Sequence, residues 1–83
     1  MDFLLKKEGI VVEVKKTRKR LGQREVGDQL FIDIKRYQSH QDCKILVCFV
    51  YDPEEVIGNP HGLEVDLSGK HGDLDAKVIV TQK

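Results

Sequence analysis

Asp2, Glu13 and Lys15 are the residues of this chain whose types and spacing suit chemistry. Two carboxylates held side by side repel unless positive charge lies between them. A hard divalent cation such as Mg²⁺ binds through one or two carboxylates, keeps several waters and takes phosphate oxygens as further ligands. A lysine two residues after the glutamate, on the same strand face, reaches a water bound to such a cation. Together the three residues suit a divalent-metal site acting on a phosphodiester, if the fold brings them to one face. The plain alternative is a solvated strand face on which Glu13 and Lys15 make a cross-strand pair with Asp2, and lone charged strand residues are common.

Whether they share a face is a question of register. Residues 2 to 24, DFLLKKEGIVVEVKKTRKRLGQR, read as two strands joined by a tight turn and running out into a basic loop. Ile10 to Val14 is rich in β-branched residues, which suit a pleated strand. With Glu8-Gly9 as a two-residue hairpin loop, Lys7 faces Ile10, Leu5 faces Val12, Leu4 faces Glu13 and Asp2 faces Lys15. Side chains alternate with period two. Asp2, Glu13 and Lys15 then fall on one face, and Phe3, Leu5, Val12 and Val14 form an apolar face that wants a core. A slip of one residue inverts the pattern.

The rest of the chain supplies elements to hold that hairpin. Thr17 to Gly22 reads as loop. A helix is expected from about Gln23 to Gln38, with Val26, Leu30, Ile34 and Tyr37 as its apolar stripe. Phe31 and Ile32 fall off the stripe. Gln29 reads as an exposed polar position or as a residue facing the charged site. Ser39 to Asp42 ends the helix, with His40 favoured there by the helix dipole. Lys44 to Tyr51, KILVCFVY, reads as a strand buried on both faces. Strand, helix, strand in that order suggests a right-handed crossover. Asn59-Pro60 starts a short helix, with Asn as N-cap and Pro in first position, running to about Ser68 with Leu63 and Leu67 on one side. Gly69 to Asp73 is loop and Ala76 to Thr81 a final strand. Asp52, Glu54 and Glu55 read as a solvated strand end, and His61 and His71 lack ligand spacing. The fold class is α/β: a mixed sheet of about four strands with one main and one short helix. No linker divides the chain, so residues 1–83 form one domain.

Composition bounds the answer. Acidic and basic residues number 14 each, so net charge does not itself point to nucleic acid. The distribution is more telling: Lys15, Lys16, Arg18, Lys19, Arg20 and Arg24 crowd one segment, while Asp and Glu dominate residues 52 to 75. No apolar run is long enough for a membrane helix, and Lys6 and Lys7 interrupt any leader-like start. Cys43 and Cys48 read as reduced core or boundary residues, too few for a zinc site, and a cytoplasmic location is expected.

Asp2, ten residues, then Glu13-Val14-Lys15 resembles the PD-(D/E)xK motif of the restriction-endonuclease-like nuclease superfamily. The order of elements agrees: a hairpin carrying the motif, then a helix, then a hydrophobic strand. The resemblance runs from residue 2 to about 51. Met1 stands where that superfamily often has Pro. Its core also begins with a helix and a strand ahead of the Asp, so the chain is expected to be the C-terminal part of a nuclease domain. The resemblance implies a metal-dependent DNA endonuclease. Asp2, Glu13 and the Val14 carbonyl would hold Mg²⁺, with Mn²⁺ as substitute, and Lys15 would orient or help deprotonate the attacking water. Lys16, Arg18 and Lys19 would contact DNA phosphates. The alternative is a non-catalytic fragment that binds nucleic acid or dimerises. A two-fold homodimer is itself expected from an uncovered sheet edge and from Phe31 and Ile32.

Overall fold

Seven residues dominated by branched side chains, Ile10–Lys16, form strand β2 in the computed structural model, which describes residues 2–5, 9–20, 22–40 and 42–82, residues 2–5 by their backbone alone. Strand β1 (Asp2–Leu5) pairs with β2 antiparallel, Asp2 opposite Glu13 and Leu5 opposite Ile10. That register is displaced by two residues from the one a Glu8-Gly9 loop requires; Lys7 and Glu8 lie outside the described residues. A displacement of two keeps every residue on its face, where a displacement of one would not. Asp2 therefore still shares a face with Glu13 and Lys15, but stands opposite Glu13 and not Lys15. Gly9 has φ 67° and its carbonyl accepts from the Lys44 and Ile45 amides at 2.7 and 3.1 Å. A Cβ there would meet the Asp42 carbonyl at 2.8 Å, so only glycine lets β2 start against its neighbour.

Helix α1 (Gln23–Gln38) follows, then β3 (Ile45–Tyr51) parallel to β2, then α2 (Pro60–Leu67), β4 (Gly69–His71) and β5 (Leu74–Thr81). The sheet order is β1-β2-β3-β5-β4, with β3 and β5 parallel and the β1 and β4 pairings antiparallel. The class is the expected one, an α/β fold with a mixed sheet and two helices. The four expected strands are joined by a fifth, β4, whose three residues had read as loop. Asn59 caps α2 as expected, its side chain accepting from the Gly62 amide at 3.0 Å. Glu25 in the first turn of α1 and Lys35 and Arg36 in its last complement the helix dipole.

Both helices lie on one side of the sheet. Val26, Leu30 and Ile34 of α1 and Leu63 and Leu67 of α2 join Val11, Leu46, Cys48, Val50, Ala76 and Val78 in a single core. Two expectations are corrected here. Strand β3 is not buried on both faces: Leu46, Cys48 and Val50 face the helices, while Ile45, Phe49 and Tyr51 stay exposed. The Val12–Val14 face of β2 is not the core face either. Val11 and Glu13 turn inward and Val14 is exposed, because parallel pairing aligns Val11 with Leu46 and Glu13 with Cys48. Alternation marks two faces but not which of them a helix will cover.

The two edges of the sheet differ. Beyond the short β4, the Val78 and Val80 amides of β5 donate to Ser68 Oγ at 2.9 Å and Glu64 Oε2 at 2.8 Å, so side chains of and just after α2 stand in for a strand. Strand β1 ends the sheet on the other side, and among the described residues no strand pairs with its outer edge.

Candidate active site

Glu13 lies on the helix-covered face of β2 and is only 6 % exposed. A buried carboxylate is costly unless charge or hydrogen bonds compensate it. Its surroundings come from α1 and β3. Arg36 Nη2 lies 3.7 Å from Glu13 Oε1 and 3.1 Å from Asp33 Oδ1. Cys48 Sγ approaches Glu13 Oε2 at 3.9 Å. Lys15, on the same face of β2, places Nζ 3.2 Å from Asp33 Oδ2 without hydrogen-bond alignment, so that contact is one of charge with charge. Two buried carboxylates and two cations thus form one cluster between β2 and α1.

Asp33 and Arg36 were not singled out from the sequence. The signal was present: position 33 lies three residues after Leu30 and seven after Val26, on the stripe that faces the core. A carboxylate there must be buried, and Asp33 is 9 % exposed. Arg36 is one turn further, at the spacing where helical side chains meet.

The sequence-derived residues divide. Glu13 and Lys15 share the covered face, and the register sets Asp2 opposite Glu13; nothing is described of the Asp2 side chain. The Val14 side chain points to the open face, so only its main chain borders the site. Lys16 is on the open face too, with Nζ 6.0 Å from the centre of the Tyr51 ring. Lys15, Lys16, Arg18, Lys19, Arg20 and Gln29 line an open cleft of about 550 Å³. Gln29 is therefore an exposed wall of the basic cleft. Arg24 lines a separate groove between α1 and α2. His40 and His61 are exposed, and the half-buried His71 ring bonds the Leu67 carbonyl at 2.9 Å. Both cysteines are buried free thiols.

The donor chemistry suits a hard divalent cation. Asp2 stands opposite Glu13 in the β1–β2 register, and both are residue types with the hard oxygen donors such a cation takes. Among the described residues no group of three or more His, Cys, Asp or Glu converges as a metal cluster, so the fit rests on that pair.

A second buried carboxylate corrects another expectation. Asp52 is not part of a solvated strand end but is fully buried. It accepts from Thr17 Oγ1 at 2.7 Å, the Val56 and Ile57 amides at 3.0 and 2.9 Å, and Gln82 Nε2 at 3.1 Å. Burial alone would push the carboxyl up; the bonds from Thr17, Ile57, Gln82 and Val56 outweigh it and hold Asp52 below the usual carboxylate value. Thr17, whose amide also donates to the Tyr51 carbonyl at 2.9 Å, is the buried root of the basic loop. Glu54 and Glu55 are exposed.

No curated protein and no solved structure gives a match to the chain. The sequence model described as REase_DpnII-MboI matches residues 1–83. That span makes the chain nuclease-class, with DNA as its substrate class: the chain belongs to the DpnII-MboI restriction endonuclease family.

Proposed function

We propose that this chain hydrolyses DNA phosphodiester bonds as a metal-dependent endonuclease of the PD-(D/E)xK kind, with Asp2, Glu13 and Lys15 as its catalytic residues. The observation that supports this most is the strand register, which sets Asp2 opposite Glu13 and Lys15 on the same face. Asp2, Glu13 and the Val14 carbonyl would hold Mg²⁺ or, in its place, Mn²⁺. Bound there, the cation supplies polarisation of the scissile phosphate and a lowered pKa of coordinated water. Lys15 borders both the carboxylate cluster and the basic cleft. Its ammonium is thus suited to orient the attacking water against a phosphate held in that cleft. Lys16, Arg18 and Lys19 would bind the flanking phosphates, a contribution that does not depend on base sequence.

A two-fold homodimer fits this function, since two sites in one particle suit the cutting of both strands. Its supports are the β1 edge and two exposed side chains on α1, Phe31 at 47 % and Ile32 at 63 %. Light scattering at micromolar concentration checks it: a monomer mass unchanged on dilution and in Ile32→Lys counts against the dimer. For the activity, supercoiled plasmid is incubated with the chain and Mg²⁺, with and without chelator. Nicked and linear products that vanish with chelator are expected. Salt-sensitive retention of DNA without cleavage would mean a binding module instead.

A further inference from the structure

Of residues 16–20 only Thr17 is buried; Lys16, Arg18, Lys19 and Arg20 around it are exposed. Both of its donors go to the end of β3. The Thr17 amide donates to the Tyr51 carbonyl at 2.9 Å, and its Oγ1 donates to Asp52 Oδ1 at 2.7 Å. A hydroxyl on a carboxylate is among the stronger hydrogen bonds. Asp52 is itself held from several sides. Its amide donates to the Thr81 carbonyl at 2.7 Å, and its carboxylate also accepts from the Val56 and Ile57 amides and from Gln82 Nε2. This fixed point matters because of what it carries. Lys16, Arg18 and Lys19 line the cleft of about 550 Å³ beside Gln29 and, with Thr17 and Glu54, a second open cleft of about 490 Å³. The three cations border both clefts, and Thr17 is the buried foot of the segment that carries them.

We propose that Thr17 and Asp52 are positioning residues for DNA binding: the bond between them fixes the point at which the basic segment leaves the sheet, and so presents Lys16, Arg18 and Lys19 to a phosphate backbone. This inference rests on the reading of that segment as phosphate-binding and does not involve the carboxylates of the metal reading. The long cationic side chains keep their own freedom whatever lies beneath them. What the bond removes is the freedom of the main chain that carries them, which binding would otherwise have to order. The charges that meet the phosphates are the same with or without the bond. Affinity should therefore depend on it while the number of ionic contacts does not.

Fluorescence anisotropy of a labelled DNA duplex, with chelator present and salt varied, tests this apart from metal and cleavage. Thr17→Val keeps the side-chain shape and removes the hydroxyl. It should weaken binding about 2–10-fold, the cost of ordering at binding what the native chain holds ready, with the salt slope unchanged. Asp52→Asn weakens the same bond from its other end and should lower affinity in the same way. Thr17→Ser keeps the hydroxyl but lacks the buried methyl; it should lower the thermal midpoint yet bind DNA as the native chain does. Native affinity in either Thr17→Val or Asp52→Asn, each shown to be folded, would mean a role confined to stability and would overturn the proposal. So would an equal loss in Thr17→Ser and Thr17→Val, since the hydroxyl would then not be the cause. A loss that comes with a lower salt slope would also overturn it, because phosphate contacts themselves would be gone. Should Thr17→Val fail to fold, Thr17→Ala, which leaves room for water at Asp52, takes its place with the same expected loss and the same overturning results. A native chain that retains no DNA would overturn the phosphate-binding reading and this proposal together, whereas the other outcomes bear on Thr17 and Asp52 alone.

Discussion

Asp52 and the Glu13–Asp33 pair are all buried carboxylates of one sheet-and-helix fold, and they are compensated in opposite ways. Around Asp52 the partners are neutral donors: one hydroxyl, two backbone amides and one side-chain amide, all at hydrogen-bond distance. They come from the β2 exit, the loop after β3 and the chain's end, so Asp52 ties three segments into one corner. Around Glu13 and Asp33 the compensation comes largely from whole cations, one of them on a solvent-exposed stem. Neutral donors, two of them backbone amides, carry no charge that an ion could replace. Lysine and arginine on long side chains do. The difference separates a carboxylate held by neutral hydrogen-bond donors from a pair held by mobile cations, whose Glu13 is proposed above to meet a ligand, and burial alone would not have distinguished them.

The sharpest break of this comparison lies at Lys15. Lys15→Ala should cut cleavage by about 10²–10³-fold, the scale of losing one charge-stabilising donor at a reacting centre, while Mn²⁺ still binds because the carboxylates remain. Plasmid-nicking rates and a Mn²⁺ titration read the two halves. Next, Asp52→Ala should cost about 3 kcal/mol or more, since it strands several buried donors, against a total stability of about 5–15 kcal/mol. Asp33→Asn should cost about 1 kcal/mol or less, because Arg36 can turn to water. Urea unfolding followed by circular dichroism compares them, and equal costs would erase the distinction drawn here.

Much of this was legible in the sequence, for reasons that differ by element. Helix α1 was bounded at both ends because its apolar stripe has the helical period and Gly22 and Ser39 flank it. Asn59-Pro60 announced α2 by capping chemistry. The face shared by Asp2, Glu13 and Lys15 survived a wrong hairpin loop only because the error was an even number of residues. What failed was long-range. Which face of β2 and β3 the helices cover depends on packing between distant segments. The Asp52 corner unites residues 17, 52 and 82, a juxtaposition that no local pattern encodes. Asp33 is the instructive omission: reading only the apolar members of the stripe hid the one charged residue that the same geometry buries.

A smaller effect sharpens the Asp52 side. Its folded carboxyl titrates below the unfolded value of about 3.9. The stability it contributes is complete above that value and is lost as pH falls from about 4 through the lower folded value. Asp52→Asn should therefore be less stable at neutral pH yet show a flatter decline below about pH 4. Urea midpoints measured from pH 2 to 7 check this, and parallel acid limbs would refute it. Smallest of all, the exposed cations of the basic loop should matter only for backbone binding. Replacing Lys16, Arg18 and Lys19 by Gln together should weaken all DNA sequences alike and lower the salt slope by roughly one unit per lost phosphate contact. A sequence-selective loss at constant slope would argue otherwise.

The central claim is that Glu13 is the buried ligand of a divalent cation, and one titration addresses it directly. Native chain and Glu13→Ala, each stripped of metal and shown to be folded, are titrated calorimetrically with Mn²⁺. The account predicts saturable binding to the native chain and none to Glu13→Ala; unchanged binding in Glu13→Ala would contradict it.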